Sequence, residues 1–161
     1  MSALQKEVRR GNEQAALTWV SELDLSGYGA WAWSRLRVIA SEDVGLAWPE
    51  GAALVRSLYE NWRDSSKNGK AEARLFLAHA VMALCRASKS RAVDHATWVF
   101  WDGPLEPVPI PDYALDKHTK RGRQLGRGWS HFLTEGARLS NEADLDDPYR
   151  ERGYATRRGE L

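Results

Sequence analysis

Cysteine is almost missing from this chain: Cys85 stands alone among 161 residues, so no disulfide can close within it. That scarcity suits a reducing compartment, and a cytoplasmic location is expected. Net charge is nearly missing too. Twenty-three Lys and Arg residues face 22 Asp and Glu residues, leaving +1. A chain-wide pull toward nucleic acid or an anionic membrane is excluded, and any such attraction has to be local. Long apolar runs are lacking. The most apolar stretch, Leu75 to Cys85, covers eleven residues with His79 inside it. That is too short to span a bilayer, so no membrane partner is expected. Residues 1–14 have no apolar centre of the sort a secretory signal needs.

The motifs of catalysis are lacking as well. No Gly-x-x-x-x-Gly-Lys-Ser/Thr cradle and no Gly-x-Gly-x-x-Gly fingerprint occurs; Gly27-Tyr28-Gly29 and Gly126-Arg127-Gly128 are lone glycine pairs. The four histidines, His79, His95, His118 and His131, have no second ligand at the spacing of a metal site. His79, inside the apolar stretch, reads as a hydrogen-bonded core histidine. No enzymatic activity, cofactor or metal is expected.

What the chain does have is tryptophan: Trp19, Trp31, Trp33, Trp48, Trp62, Trp98, Trp101 and Trp129. Each offers a large apolar surface plus one N–H that wants an acceptor, which suits core and interface packing; stacking on bases or sugars is the alternative use. Hydrophobic residues make up 43% of the chain, ample for a core in one globular domain.

Periodicity points to helices. After Asn12, a good N-cap, Ala16, Trp19, Val20 and Leu23 fall on one face. A second helix is expected over about 30–41, with Ala32, Leu36 and Ile39 in a stripe flanked by Trp33 and Ala40. Pro49 opens a third, carrying Leu54, Val55, Leu58, Tyr59 and Trp62. Asp64 to Gly69 reads as a polar loop. A fourth helix, from about Lys70 to Ala87, is apolar on nearly every side and is expected to be packed all round. Ser90 caps a fifth, in which Ala92, Val93, Ala96, Val99 and Phe100 share a face.

Prolines at 104, 107, 109 and 111 then impose an extended stretch. The expected fold is all-α: a compact bundle of about five to six helices, a Pro-rich extended strap and a polar tail. The helical domain is drawn over 1–135. Residues 136–161 form a charged tail, poorly ordered or laid against a partner.

Two local features carry chemistry. Ser41, Glu42 and Asp43 close the second helix before Gly45, and their side-chain oxygens are read as caps for backbone N–H groups. Lys117, Lys120, Arg121, Arg123 and Arg127 lie within eleven positions, with Trp129 close behind. Cations, an aromatic ring and flexible glycines can hold phosphates and stack on bases, so these six are the candidate nucleic-acid contacts. A solvated loop, or a strap paired with acidic groups of a neighbouring subunit, is the other reading.

Three ordered blocks resemble the C-terminal region of the MgsA/RarA-type AAA+ ATPases, relatives of the Werner-helicase-interacting ATPase. The first joins Arg9-Arg10-Gly11 and Ala15 to Trp19 with Ile39-Ala40-Ser41-Glu42-Asp43-Val44-Gly45-Leu46-Ala47. The second is Leu77 to Val81 with Ser88-Lys89-Ser90 and Ala92. The third is Pro107 to Ile110, Thr119-Lys120 and Gly126 to Trp129. The resemblance covers about residues 7–135. It marks Arg10, Gly11, Ser41, Glu42, Asp43, Gly45, Ser88, Lys89 and Ser90 as structural motif residues.

The resemblance implies a helical assembly domain that forms tetramers on an ATPase of DNA replication, recombination and repair. The AAA+ core itself has no counterpart in these 161 residues. The function expected is a non-catalytic oligomerisation or docking module. A DNA-binding accessory using the 117–129 strap, or an adaptor for a separate AAA+ ATPase, are the alternatives.

Overall fold

Leu4 and Val8 sit four residues apart in an otherwise polar N-terminal segment, and that thin stripe makes the first helix, α1 (Ser2–Arg10). The computed structural model describes residues 1–67 and 72–160. It divides into two units, Met1–Leu105 and Glu106–Leu161. The sequence reading drew its boundary after residue 135; the structure divides earlier, within the proline-rich stretch. Among the described residues every regular element is helical.

Among its described residues the first unit holds six α-helices. Gly11 ends α1, and the Asn12 side chain accepts from the Ala15 N–H to start α2 (Glu13–Leu25). Next come α3 (Gly29–Ile39), α4 (Gly51–Lys67), α5 (Ala73–Arg86) and α6 (Ala92–Thr97). The helix α3 runs on as a π-helical turn, Ala40–Val44, and a 3₁₀ turn, Gly45–Ala47. The central element is α5, which packs against α1, α2, α3 and α4.

Most of the stripes expected from periodicity face this core; Trp19, expected on the α2 face with Ala16 and Val20, is instead 45% exposed. Ala16 and Val20 of α2, Ala32, Trp33, Leu36 and Ile39 of α3, and Val55 and Leu58 of α4 are buried, as are Leu77, Ala80, Val81 and Leu84 of α5. Trp33 is fully buried, its ring 5.7 Å from Tyr59 and 5.9 Å from Trp62. Offset and edge contacts of this kind add to what area burial contributes.

Several expectations change. Leu4 and Val8 put α1 into the core, although no helix was expected there. Residues 64–67, expected in a loop, form the last turn of α4; Asn68, Gly69, and the expected helix start at Lys70 lie outside the described residues. The helix α5 is not enclosed all round: Leu75 is 67% exposed and His79 is exposed, so His79 is not a core histidine. Both lie on the α5 face away from Leu77, Ala80 and Leu84. The face shared by Val93, Val99 and Phe100 is open to solvent as well.

The second unit is built from short pieces. Pro111 is extended, a 3₁₀ turn covers Asp112–Ala114, and α7 (Lys120–Gln124) follows. A single turn, α8 (Trp129–His131), passes into a π-helical turn, Phe132–Gly136. The tail, expected to be poorly ordered or laid against a partner, contains α9 (Arg150–Arg158), which packs on α8.

Candidate functional site

The π-helical turn at the end of α3 aims two neighbouring carboxylates into the bundle. Asp43 is fully buried. Its Oδ1 accepts from Arg9 Nε at 2.5 Å, and Glu42 Oε1 accepts from the Arg9 Nη2 at 2.8 Å. Arg91, just before α6, lies 3.5 Å from Glu42 and 3.9 Å from Asp43 and also pairs with Asp94. Gln5 donates to Glu42 at 2.9 Å. The hydrogen bond to Asp43, ahead of its charge, raises the Arg9 guanidinium above its ordinary value. One carboxylate pair therefore ties α1, α3 and α6 together.

This replaces the capping role read from the sequence. The carboxylates engage arginines of two other elements, and the turn has no side-chain cap. Ser41 is exposed. Arg10 is exposed and its side chain donates to the Lys6 carbonyl at 3.1 Å, so the arginine at the junction is its neighbour Arg9. Successive helical residues point about 100° apart, and a motif string alone does not say which one faces inward.

The remaining motif residues complete the joint. Gly45 has φ 48° and ψ −127°, a conformation open to glycine and strained for other residues. A Cβ there would meet Val93 Cγ2 at 3.3 Å. The Asp43 carbonyl accepts from the Ser90 N–H at 2.9 Å, and Ser90 Oγ accepts from the Ala92 N–H at 3.3 Å; the N-cap of α6 is Arg91, one position after the expected Ser90. Lys89 Nζ donates to the carbonyls of Leu84, Cys85 and Ala87 at 2.7, 3.0 and 2.6 Å. It closes the C-terminal end of α5, where a cation is favoured. Burial pushes its ammonium below the ordinary lysine value. Gly11 lies on the same end of α5, its Cα region close to the Cys85 carbonyl. Ser88 is exposed.

The six candidate nucleic-acid contacts split into two groups. Arg127 donates to the carbonyls of Asp112 and Leu115 at 2.7 and 2.9 Å and to the Asp112 carboxylate at 2.5 Å. Arg123 donates to the Lys117 and His118 carbonyls. Lys117 Nζ stands 3.6 Å from the centre of the Trp129 ring, and the Arg157 guanidinium 5.0 Å from it. These four residues are occupied in holding their own unit. Lys120 and Arg121 are exposed, and among the described residues neither side chain makes a hydrogen bond or ion pair.

Sequence reasoning missed how this unit is tied. Asp116, which is buried, accepts from the His118 N–H and pairs with its Nδ1, both at 2.9 Å. The His118, Trp129 and Phe132 rings meet edge to face at 4.8 to 6.0 Å. The Asp-x-His spacing in a turn was the available signal. Gly122 is required by close approach: a Cβ there would stand 1.8 Å from the Asp116 carbonyl oxygen. Among the described residues no group of three His, Cys, Asp or Glu could hold a metal, and no helix is long and apolar enough to cross a membrane. His95 is exposed, its ring 5.5 Å from Trp98.

The all-α bundle is thus packed on an apolar cluster and further joined at α1, α3 and α6 by carboxylate–guanidinium pairs. Residues 11–153 match the family model described as MgsA AAA+ ATPase C terminal, and the chain belongs to this family. That bears out the resemblance read from the three sequence blocks. The replication-associated recombination protein A of Bacillus subtilis is 36% identical over 96% of this chain and 37% of its own length. The protein of the same name from Haemophilus influenzae is 33% identical over 80% of this chain and 29% of its own length. That from Escherichia coli is 32% identical over 80% and 29%. The chain thus spans about a third of the length of these curated relatives.

Proposed function

We propose that this chain is a non-catalytic assembly module of a replication-associated recombination ATPase system, working in the cytoplasm as a homo-oligomer. The observation that carries the reading is the fate of its tryptophans. Trp33 is fully buried, whereas Trp19, Trp31, Trp98 and Trp101 are 45, 66, 50 and 77% exposed. Large aromatic surface of this extent on a well-packed bundle is the mark of a face that another protein covers. Family membership supports the reading, because the match is to the C-terminal region of an ATPase. A tetramer is the assembly the resemblance implies. Sedimentation at tens of micromolar tests it: a species larger than the monomer is expected, and a monomer throughout overturns it.

Contact with DNA is the second reading, supported by the two exposed cations Lys120 and Arg121. It makes a sharper demand than before, since the other four candidates are engaged. Binding of a forked DNA should fall steeply with salt and be lost in the double variant Lys120→Glu, Arg121→Glu. Retention that is unchanged by the double variant overturns it.

A further inference from the structure

Two exposed features of the chain are complementary in charge. The first is a loop of the second unit. Arg150 pairs with Glu142 and lies 3.6 Å from Asp147, so one guanidinium holds both ends of the segment between them. Asp147 Oδ1 also accepts from the Tyr149 N–H at 3.2 Å, and the Ala143 carbonyl accepts from the Leu145 N–H at 2.9 Å. This clamp leaves Asp144, Leu145 and Asp146 outside. Leu145 is 76% exposed, and among the described residues neither aspartate side chain makes a hydrogen bond or ion pair. An apolar tip with a free carboxylate before and after it is thus held in place beforehand, which lowers the ordering cost of docking.

The second feature is the outer face of α3. Two open hollows, of about 510 and 320 Å³, share Ser34 and Val38 as a common floor. Val93 and Arg37 line the first, Trp31 and Arg35 the second. At about 100° per residue Val38, 42% exposed, falls between the two arginines around the helix. Arg37 stands over the Tyr59 ring at 4.9 Å, and Arg35 donates to the Gln5 side-chain oxygen at 3.3 Å; both partners are neutral. Among the described residues neither arginine meets a carboxylate. The acids that also line the first hollow are already compensated, Glu42 by Arg9 and Asp94 by Arg91. An apolar floor therefore lies between two uncompensated cations.

We infer that the Asp144–Leu145–Asp146 tip of one copy docks on the α3 face of a second copy, with Leu145 on Val38 and the carboxylates toward Arg35 and Arg37. This rests on the assembly reading and names one of its contacts. Charge complementarity selects the occupant. The receiving face lacks carboxylates for two cations, the tip lacks cations for two carboxylates, and docking satisfies all four. Like charge keeps two tips, or two α3 faces, apart. The contact thus joins unlike surfaces and, repeated head to tail, closes a ring in which every copy gives one tip and receives another. A single tip buries less than the ~1,000 Å² at which stable interfaces begin. Ring closure compensates, because every copy is then held twice.

The test is a charge swap read by sedimentation velocity of the full chain at tens of micromolar. Arg35→Glu with Arg37→Glu, and separately Asp144→Lys with Asp146→Lys, should each weaken self-association by roughly tenfold or more. None of the four positions is buried, and unchanged helical circular dichroism checks that the variants fold. An equimolar mixture of the two double variants should regain the large species, since each tip then meets a face of opposite charge. Leu145→Ala leaves the charges alone and should weaken association several-fold. Double variants or a Leu145→Ala chain that sediment as the wild type overturn the contact while leaving the assembly reading standing. Weakening without rescue in the mixture means a different occupant, and likewise overturns docking on a second copy. A wild-type chain that sediments only as a monomer removes the assembly reading itself.

Discussion

The two units are held together by different physics. In Met1–Leu105, apolar side chains from five helices and the α3 end turn, from Leu4 to Cys85, are buried in one cluster. In Glu106–Leu161, the buried residues among those described are Asp116 and Gly122, and no apolar side chain is buried. There the chain is pinned by Arg127 on Asp112, Asp116 on His118, and Lys117 over Trp129. Burial is non-directional and scales with area, so the first unit tolerates loss of single polar contacts. The second depends on a few exposed contacts, each worth little. Segments with few buried apolar contacts open at lower free energy than packed cores.

The comparison can be broken most forcefully from the core side. Leu36→Ala removes a fully buried side chain of α3 and should cost the first unit about 3 kcal/mol. Its urea midpoint should drop with little change in slope. A loss under ~1 kcal/mol would mean that the cluster is not the main support.

Asp43→Asn comes next. It leaves Arg9 and Arg91 without their buried partner, but both side chains are about a third exposed, and Arg9 keeps Glu42 while Arg91 keeps Asp94. A cost of about 2 kcal/mol is expected in the same assay. Because Asp43 is fully buried, that cost should persist at high salt.

Gly122→Ala sharpens the contrast from the other side. The added Cβ collides with the Asp116 carbonyl. Peptide-resolved hydrogen exchange should show faster exchange across residues 106–160, while residues 1–67 and 72–105 keep their protection.

Acid gives a milder effect. Hydrogen bonds from Arg127 and from His118 hold the Asp112 and Asp116 carboxyls below the usual value of 3.8. Groups with depressed native pKa stabilise the fold above the unfolded value, and that contribution is lost as pH falls through the native value. Exchange in the second unit should therefore rise as the pH drops below about 3.8. The first unit loses its Glu13–Arg86 pair in the same range yet keeps its core.

The smallest effect is expected from Lys120→Glu with Arg121→Glu. Stability should move by less than ~0.5 kcal/mol, which separates any change in DNA retention from unfolding.

Much of the bundle was legible because α2 to α5 carry wide apolar stripes. Ala32, Leu36 and Ile39, and likewise Val55 and Leu58, could be placed on core faces by spacing alone. By the same logic α1 was invisible, since Leu4 and Val8 make too thin a stripe in a polar segment. The apolar pattern of α6 was legible too, but not its exposure. Periodicity says which residues share a face and is silent about what that face meets. The site was legible as a block, Ser41 to Gly45. Its partners were not, because Arg9 and Arg91 lie more than thirty positions away in either direction. The 117–129 patch was legible as charge, whereas the spending of Arg127 and Arg123 on local carbonyls was not.

By itself, then, the sequence determined the class of fold, the main helix faces, the missing catalytic motifs and the family, all of which are local or compositional properties. Only the tertiary structure decided that Asp43 is buried against Arg9, that His79 is exposed, that two rather than six strap residues remain open, and that Trp98 to Trp101 project into solvent. Those outcomes depend on which distant segments meet, and the free energy that selects among such meetings comes from packing the whole chain rather than from any one stretch of it.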